Sequence, residues 1–327
     1  MKKLSELGER KIIQLISKLV TKGNVAVGIG DDCAAVEIGE NYLLVTTDMI
    51  TQKTHIPQGM TPYQIGWFVV AINLSDIAAK GGRPLGLVLS LGLPKDTSEG
   101  FVKELIQGAN KCATQYGTSI IGGDTKENYE MTLCGTAIGI VNKKEFMPRT
   151  GAKPGDLIAV TGVLGKAGAG YITLQKHLQD DEAVKELFEP IPRIFEGQAL
   201  AQEKIVSSCM DISDGLSSSL YQLQELNHVG FEVEKEKIPV SAKLMKIQKQ
   251  LKMDVYEYAL HFGGDYELLV ILSPDKWKRA VQAVKKRNSS LTVIGRVTKK
   301  LGVILVSKNH KHILKNKGYE HFKPVYF

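Results

Sequence analysis

Short strings in which aspartate stands beside glycine, serine or threonine constrain this chain more than any other feature of its sequence. Each string comes at the end of an apolar segment, where loops present functional groups from a rigid scaffold. Seven aspartates lie in these strings: Asp31, Asp32, Asp48, Asp76, Asp124, Asp211 and Asp214. Magnesium prefers hard oxygen ligands, usually takes one or two carboxylates per ion, and keeps water or substrate phosphates for the rest. The strings therefore indicate several Mg²⁺ ions around a polyphosphate rather than one closed cage.

The same residues have a second interpretation, because aspartate, serine, threonine and glycine also dominate turns and helix N-caps. The pair Asp31 and Asp32, and the near pair Asp211 and Asp214, concentrate negative charge. Like charges this close are unfavourable unless a cation is present. Any one string alone favours the turn interpretation, whereas five strings with this arrangement favour magnesium.

Two glycine-rich strings do not complete a known nucleotide motif. Residues 162–168 read Gly-Val-Leu-Gly-Lys-Ala-Gly, which is shorter than the phosphate-loop pattern GxxxxGK[ST] and has no hydroxyl residue after the lysine. Residues 28–30 do not extend to a dinucleotide fingerprint. A nucleotide site in this chain must be of another kind, in which glycine lets backbone amides approach phosphate and a neighbouring carboxylate holds the counter-ion.

Length and hydropathy restrict the class of protein. The chain has 327 residues, of which 43% are hydrophobic and 24% are charged, so it is long enough for two ordinary domains with their own cores. No apolar run approaches the roughly 18 residues that span a bilayer, and the first residues lack the apolar segment of a signal peptide. We expect a cytoplasmic protein with no membrane partner.

Basic residues and cysteines bear on two further classes. The formal net charge is +7, and clustered lysines are one mark of nucleic-acid binding. Here they recur at helical spacing without interleaved aromatic residues, as Lys243, Lys246, Lys249 and Lys252. That pattern is typical of a solvated helix face, and we expect no nucleic-acid partner. The four cysteines form no CxxC or Cys/His cluster, so neither a zinc site nor a disulfide framework is indicated: Cys33, Cys112, Cys134 and Cys209.

Apolar periodicity predicts an α+β protein of two similar-sized domains, divided by the linker-like string 149–156. In the first domain, consecutive strands without a crossover helix predict a mixed or antiparallel sheet with helices on one side. The predicted helices of this domain are 4–20, with Ser5 as a candidate cap, 61–76 and 96–116, and its strands are 42–47, 85–93, 118–121 and 131–141. The predicted helices of the second domain are 166–178, 194–207, 215–226 and 274–286, and its strands are 157–161, 231–234, 268–272 and 291–297.

Six strings, in order and along nearly the whole chain, resemble the thiamine-monophosphate kinase family. They occupy residues 28–32, 73–79, 121–125, 151–156, 211–216 and 318–322, and read GIGDD, NLSDIAA, IGGDT, GAKPGD, DISDGL and GYEHF. Together they are highly specific, although Gly-Asp-Asp alone is not. The wider superfamily is similar to aminoimidazole ribonucleotide (AIR) synthetase, selenophosphate synthetase and HypE. The resemblance implies two AIR synthetase (PurM)-like domains: residues 1–148, for ATP, Mg²⁺ and dimerisation, and residues 149–327.

The resemblance also implies roles for individual residues. Those at magnesium positions are Asp31, Asp32, Thr46, Thr47, Asp48, Asp76, Asp124, Asp211 and Asp214. Those at ATP positions are Gly123, Asp124, Arg149 and Ser213, and His55 matches a contact to thiamine phosphate. Two positions on the substrate side depart from the family pattern. Gly264 stands where a substrate-contacting glutamate is common, and Asn316 stands where an aromatic residue covers the substrate ring.

The activity implied by the resemblance is Mg²⁺-dependent transfer of the γ-phosphoryl group of ATP to thiamine monophosphate, giving thiamine diphosphate and ADP in a homodimer. The acceptor is a phosphate monoester with a second pKa of about 6, so it is already largely dianionic at neutral pH. No catalytic general base is therefore expected, and we predict direct in-line transfer. The alternatives are another ATP-dependent enzyme of the superfamily and a non-catalytic sensor of magnesium and nucleotide.

Overall fold

A five-stranded mixed sheet organises the first half of the chain in the computed structural model, which describes residues 3–21, 23–308 and 310–324. Its strands are β1 (Ala34–Ile38), β2 (Asn41–Thr51), β3 (Arg83–Leu93), β4 (Ile120–Glu127) and β5 (Thr132–Asn142). The spatial order is β1-β2-β5-β3-β4, and every neighbouring pair is antiparallel except β3 and β4. The strand β4 is consequently an edge strand.

Helices α4 and α5 lie on one face of the sheet, which we call its inner face. The helices of this half are α1 (Leu4–Leu7), α2 (Glu9–Leu19), α3 (Gln52–His55), α4 (Pro62–Ala79) and α5 (Glu99–Gln115). Helix α2 instead contacts the second half of the chain, where Arg10 hydrogen-bonds to Ser218. Thr61 caps α4 in a capping box with Gln64, and Pro62 occupies the first helical position, as the Thr-Pro pair predicts. A Cβ atom on Gly66 of α4 would lie 1.8 Å from Leu105 O of α5, so this close helix crossing requires glycine.

A seven-stranded sheet organises the second half. Its strands are β6 (Leu157–Thr161), β7 (Val206–Asp211), β8 (Gly230–Glu234), β9 (Leu268–Leu272), β10 (Leu291–Thr298), β11 (Val303–Ser307) and β12 (His310–Ile313). The spatial order is β12-β11-β8-β10-β6-β9-β7, with β8 and β11 as its parallel pair. The two-domain α+β prediction with mixed sheets is confirmed.

The helices of the second half are α6 (Lys166–Gln175), α7 (Asp181–Phe188), α8 (Ile194–Glu203), α9 (Leu216–Asn227), α10 (Ala242–Leu251), α11 (Tyr256–His261) and α12 (Trp277–Lys285). All five residues of β9 are buried. Leu268, Val270 and Leu272 join the apolar core that contains α4, whereas Leu269 and Ile271 join a separate core of the second half. The core around α4 is thus continuous between the two halves and holds them together.

Several predicted boundaries are wrong in ways that matter for function. The sequence predicts a strand that ends at Thr47, but β2 continues to Thr51, and Asp48 lies within it. Likewise Gly123 and Asp124 lie inside β4 and do not follow it. Asp48 ended the first prediction early and Gly122 ended the second, since aspartate and glycine are both depleted in strands.

Other differences occur where local pattern is weak. The predicted N-terminal helix divides into α1 and α2 at Gly8, whose φ is +80°, and Ser5 lies inside α1 without capping it. The predicted helix 194–207 ends at Glu203, and the serine-containing edge strand β7 follows. The elements not predicted are β1, α3, α7, β7, α11, β11 and β12.

Three observations concern the helices and the thiols. No helix in the described parts of the chain is long and apolar enough to cross a membrane. Helix α10 buries Leu244 and Ile247, while Lys246 and Lys249 are exposed on its other face, as predicted from the lysine spacing. All four cysteines are free thiols.

Candidate functional site

Five aspartates from both halves converge at one end of α4 and form what we call the acidic cluster: Asp32, Asp48, Asp76, Asp211 and Asp214. One carboxylate oxygen each of Asp32, Asp76 and Asp211 lies within 4.8 Å of the other two. These residues are 179 positions apart at most (211 − 32) and come from a loop, a helix and a strand. The cluster is therefore a product of the tertiary fold.

Helix α4 positions the cluster through three polar side chains in an otherwise apolar surface. Thr46 Oγ1 donates a hydrogen bond of 2.5 Å to Asp76 Oδ2. Asn73 Oδ1 accepts one of 3.0 Å from the Asp48 amide, and Ser75 Oγ donates one of 2.7 Å to Asp211 Oδ2. Asn73 and Asp76, three residues apart, share one helix face as predicted. Strand alternation places Thr46 and Asp48 on the inner face of the sheet, toward that helix.

Burial and the charges of neighbouring carboxylates raise the pKa values of four aspartates in the acidic cluster. Burial, followed by the charge of Asp32, raises the pKa of Asp48 to about 6 and that of Asp211 to about 7. Burial and Glu9 raise the pKa of Asp214 to about 7. The pKa of Asp76 is raised well above its ordinary value by burial and by Asp48 and Asp211. A bound cation would stabilise the ionised forms of these carboxylates, so the raised pKa values indicate a cation site.

Asp31 and Asp32 have protein partners of opposite charge. Lys80 Nζ lies 2.6 Å from Asp31 Oδ1 and 2.7 Å from Asp32 Oδ2. Arg149 Nε donates to Asp32 Oδ1 at 3.0 Å, and the Arg149 amide donates to Asp31 Oδ2 at 3.1 Å. Burial alone would raise the pKa of Asp32, but the charges of Arg149 and Lys80 outweigh it and hold that pKa below its usual value.

The described residues fit a magnesium ion. Oxygens of Asp32, Asp76 and Asp211 are close enough to bind one cation together, and carboxylate oxygen is the ligand that Mg²⁺ prefers. Asp32 Oδ2 is buried and makes no hydrogen bond of normal geometry within the described residues, although it lies near Lys80. The contact with the Lys80 ammonium leaves a second lone pair of this carboxylate oxygen for an ion.

The stabilisation by Mg²⁺ is expected to grow between about pH 5 and about pH 8, because the ion and protons compete for the same carboxylates. Asp211 and Asp214 have an ordinary pKa of 3.8 but titrate near 7 in the folded protein. In that interval the metal-free folded state keeps protons that the unfolded chain has released, so its stability falls as pH rises. Melting temperatures are measured with Mg²⁺ and with EDTA at each pH, and their difference gives the stabilisation by Mg²⁺.

The variant Asp211→Asn serves as its control, since one titrating carboxylate is removed. Its Mg²⁺-induced rise in Tm should be smaller and should change less with pH. Stabilisation by Mg²⁺ that is the same at every pH in the unaltered protein would contradict the assignment of the ion to these carboxylates.

Thr47 and Asp124 lie apart from the acidic cluster, on the outer face of the first sheet. Thr47 Oγ1 donates to Gly135 O at 2.9 Å and lies 3.0 Å from Thr136 Oγ1. Asp124 is exposed and pairs with Lys126 at 3.4 Å. Its strand is three positions from β2 in the sheet, about 14 Å at normal strand spacing. Gly123 shares this edge strand.

Arg149 and Ser213 border the cluster. Arg149 Nη1 donates to Gln222 Oε1 of α9 and to Gly30 O, each at 3.3 Å. Ser213 lies in the loop between β7 and α9, and its carbonyl accepts a hydrogen bond of 2.7 Å from the Gly264 amide. The structure therefore brings two of the four predicted ATP residues, Arg149 and Ser213, to the acidic cluster, whereas Gly123 and Asp124 lie on the edge strand β4.

The predicted substrate residues lie around the same loop. His55 Nδ1 is 2.7 Å from Thr54 Oγ1, and its ring centroid is 5.2 Å from that of His321. Burial and the neighbouring His321 lower the pKa of His55 to about 4, so its ring is neutral at physiological pH. The Tyr319 amide, in the same C-terminal segment, donates to Asp214 O at 3.1 Å. This segment joins His55 to the cluster.

The two departures from the family pattern have separate structural consequences. Gly264 has φ of +94°, and a Cβ there would lie 3.2 Å from Ala167 Cβ. A glutamate would be strained in this backbone conformation, since L-residues rarely adopt it. Asn316 is exposed, and its Oδ1 accepts a hydrogen bond of 3.2 Å from the Gly318 amide.

Three residues that contact or influence the acidic cluster escaped the sequence analysis. Lys80 directly follows α4 and is fully buried, whereas a lysine at the end of a helix is usually exposed to solvent. Glu9 of α2 acts electrostatically on Asp48 and Asp214. Tyr266 lies among the aspartates, which together with burial raise its pKa well above the ordinary value. Its position beside Gly264 in the string 262–268 is the one signal that pointed to it.

The lysine of the string 162–168 belongs to a different, structural network. Asp265 accepts hydrogen bonds from the amides of Gly165, at 2.6 Å, and Ala167, at 3.1 Å. A protein carboxylate thus occupies the N-terminus of α6, where a phosphate loop would bind its ligand. Lys166 pairs with the buried Glu267 at 2.8 Å. These contacts agree with the sequence argument against a phosphate loop.

Comparison with known proteins gives matches over most of the chain. The N-terminal domain model of AIR synthase related proteins matches residues 30–141, and the C-terminal domain model matches residues 153–308. The chain is 40% identical over 291 residues to thiamine-monophosphate kinase of Methanospirillum hungatei, covering 89% of this chain and 92% of that protein. It is 34% identical over 297 residues to the protein of the same name in Pyrococcus horikoshii, covering 90% and 91%.

A solved structure has the same architecture. AaThiL complexed with AMPPCP and TMP matches with a TM-score of 0.87 at 29% identity, covering 98% of this chain and 99% of that one. The AIR synthetase-like fold that the sequence predicts is confirmed by this match and by the two domain models.

Proposed function

The chain belongs to the thiamine-monophosphate kinase family, and we propose that it transfers the γ-phosphoryl group of ATP to thiamine monophosphate. The products are thiamine diphosphate and ADP. The acidic cluster carries this proposal, because oxygens of Asp32, Asp76 and Asp211 lie within 4.8 Å of one another. The related AaThiL was solved with AMPPCP, an analogue of ATP, and with TMP, which supports these two substrates.

We propose that Mg²⁺ binds first to Asp32, Asp76 and Asp211, with Thr46, Asp48 and Asp214 around them. When bound, Mg²⁺ supplies positive charge that offsets the repulsion between the triphosphate, the acceptor phosphate and the carboxylates. The chain holds its ligands rigidly: Thr46 fixes Asp76, and Ser75 fixes Asp211. This preorganisation places charge where phosphoryl transfer needs it.

Chemistry proceeds between two phosphates. An oxygen of the dianionic acceptor forms a bond to the γ-phosphorus of ATP as the bond from that phosphorus to the β-phosphate oxygen breaks, and ADP leaves with the electron pair. The acceptor has no proton that must be removed at neutral pH, since its second pKa is about 6. The aspartates consequently act as ion ligands, and none serves as nucleophile or general base.

The substrate ring would lie near His55 and the C-terminal segment that carries Tyr319. The neutral ring of His55 offers a polar and aromatic contact without positive charge, which suits a cationic thiazolium. Gly264 and Asn316 leave this end of the site more open than the family pattern does.

We place the domain boundary between residues 148 and 149, in the gap between the two matched segments.

We propose a homodimer through the outer face of the first sheet. That face has no helix packed on it in the described chain, and its partly or wholly exposed apolar residues are Leu43, Val45, Met49, Val88, Ile138 and Ile140. Apolar sheet faces of this kind mark protein interfaces. A second copy would also bring an interface to Thr47, Gly123 and Asp124, whose roles in binding Mg²⁺ and ATP remain part of the proposal.

The variant Met49→Asp is expected to shift the protein from dimer to monomer in sedimentation velocity, because it places a charge on this apolar face. Met49 is 58% exposed in the single chain, so the substitution does not disturb the core. Leu301→Asp, at a side chain 62% exposed in the second half, is the matched control and should stay dimeric. A monomer for the unaltered protein would exclude the interface.

Product analysis tests the proposed activity. Purified protein incubated with ATP, Mg²⁺ and thiamine monophosphate is expected to give the two phosphorus signals of thiamine diphosphate in phosphorus NMR. Phosphorylation of a different acceptor would instead favour another ATP-dependent member of the superfamily. Binding of ATP without any product would favour the sensor and would refute the kinase.

A further inference from the structure

Lys80, at the end of α4, is fully buried and its ammonium lies among three oxygen atoms. Lys80 Nζ is 2.6 Å from Asp31 Oδ1 and 2.7 Å from Asp32 Oδ2, and it donates a hydrogen bond of 3.0 Å to Cys209 O. Two anionic oxygens and one carbonyl oxygen are the ligand types that a hard metal cation takes in proteins. Lysine at this depth is rare unless it is paired.

We propose that the Lys80 ammonium occupies the place of a cation at Asp31 and Asp32, so that a side chain neutralises a pair that would otherwise bind a metal ion. The inference rests on the proposed magnesium site, since Asp32 belongs to both. It makes Lys80 a positioning residue, which acts on the bound ion through Asp32.

The contacts divide the roles of the two aspartates. Both oxygens of Asp31 have donors: Lys80 and the Asp32 amide at Oδ1, and the Arg149 amide at Oδ2. Asp31 is therefore a support for its neighbour and not an ion ligand. Asp32 gives Oδ1 to Arg149, while its Oδ2 lies 2.7 Å from Lys80 Nζ and keeps a second lone pair for the ion shared with Asp76.

Charge and connectivity agree with this division. Lys80 and Arg149 carry two positive charges against the two carboxylates of Asp31 and Asp32, so the four groups are neutral together. The negative charge of the other aspartates in the acidic cluster would instead be neutralised by a bound metal ion. Because Cys209 lies on β7, the same ammonium also ties α4 to the second half of the chain.

The variant Lys80→Met tests the inference, since methionine keeps much of the shape and removes the charge. Metal-free protein is titrated with Mn²⁺, and free Mn²⁺ is followed by electron paramagnetic resonance. Lys80→Met is expected to bind one more Mn²⁺ per chain than the unaltered protein, at the three oxygens that the ammonium leaves. Its melting temperature should also rise more on addition of Mn²⁺.

Two control variants show whether the extra Mn²⁺ binding comes from the missing charge at Lys80 and not from the loss of a lysine in general. Lys80→Arg keeps the charge, and Lys143→Met removes a partly exposed ion pair with Glu37; both should bind Mn²⁺ as the unaltered protein does. Equal Mn²⁺ stoichiometry and equal thermal response for Lys80→Met would overturn the inference. So would a Lys80→Met protein that stays unfolded at every Mn²⁺ concentration, because the ion should replace the missing charge. Failure of the unaltered protein to bind Mn²⁺ would instead refute the proposed magnesium site.

Discussion

Asp76→Asn is expected to lower kcat by about 10²- to 10³-fold, the usual cost of removing one preorganised electrostatic group from a transition state. Asp76 lies at the centre of the acidic cluster, within 4.8 Å of oxygens of Asp32 and Asp211. Asparagine has the same shape, and its oxygen can still accept the hydrogen bond from Thr46. The loss should thus come from the missing charge, which weakens binding of Mg²⁺.

Steady-state rates over a range of Mg²⁺ concentrations measure this effect. The metal-free variant should melt no lower than the unaltered protein, because burial and the charges of Asp48 and Asp211 raise the pKa of Asp76 and disfavour its ionised form without the ion. Asp96→Asn, at an exposed position before α5, is the matched control and should keep full activity. An unchanged kcat for Asp76→Asn at saturating Mg²⁺ would remove this residue from the ion site.

Glu267→Gln is expected to reduce the free energy of unfolding by about 3–5 kcal/mol, the range found when one partner of a buried ion pair is removed. The Glu267 side chain is fully buried and pairs with Lys166 at 2.8 Å. Arg193 Nε donates to its other oxygen at 2.6 Å, and Thr161 Oγ1 donates there at 2.8 Å. Without this charge, Glu196 is the remaining acidic partner of Arg193 among the described contacts, at 3.0 Å.

Urea unfolding followed by circular dichroism gives the change in free energy. Glu234→Gln is the comparison, because its pair with Lys237 is 2.8 Å long but solvent-exposed, and exposed pairs contribute about 0–1 kcal/mol. Equal destabilisation by both variants would show that burial of the Glu267 network contributes little.

Segments with an uninterrupted apolar pattern were predictable from the sequence. Helix α4 has its Thr-Pro start and a long apolar stretch, and β9 is a short apolar run, so both were located within a few residues. Strand β7 was missed because its serines interrupt the apolar pattern, and pairing with β9 alone makes it a strand. Local propensity carries no information about such pairing.

The acidic cluster was predictable in its members and not in its geometry. Asp76 and Asp211 could be identified from their neighbours in sequence, but strand alternation inside β2 separates Thr47 from Thr46. The predicted strand 42–47 already contained both threonines, but the sequence alone did not show which face of the sheet α4 covers. Lys80 escaped because only the tertiary fold encloses a helix end between Asp31 and Cys209.

The central claim is that the acceptor phosphate attacks ATP directly and that no residue of the chain carries the phosphoryl group. ATP made chiral at the γ-phosphorus with sulfur and oxygen isotopes tests it, through the configuration of the thiophosphoryl group in the thiamine diphosphate product. A single in-line displacement between ions held by the acidic cluster predicts inversion of configuration. Net retention would require two displacements through an enzyme intermediate and would contradict the account.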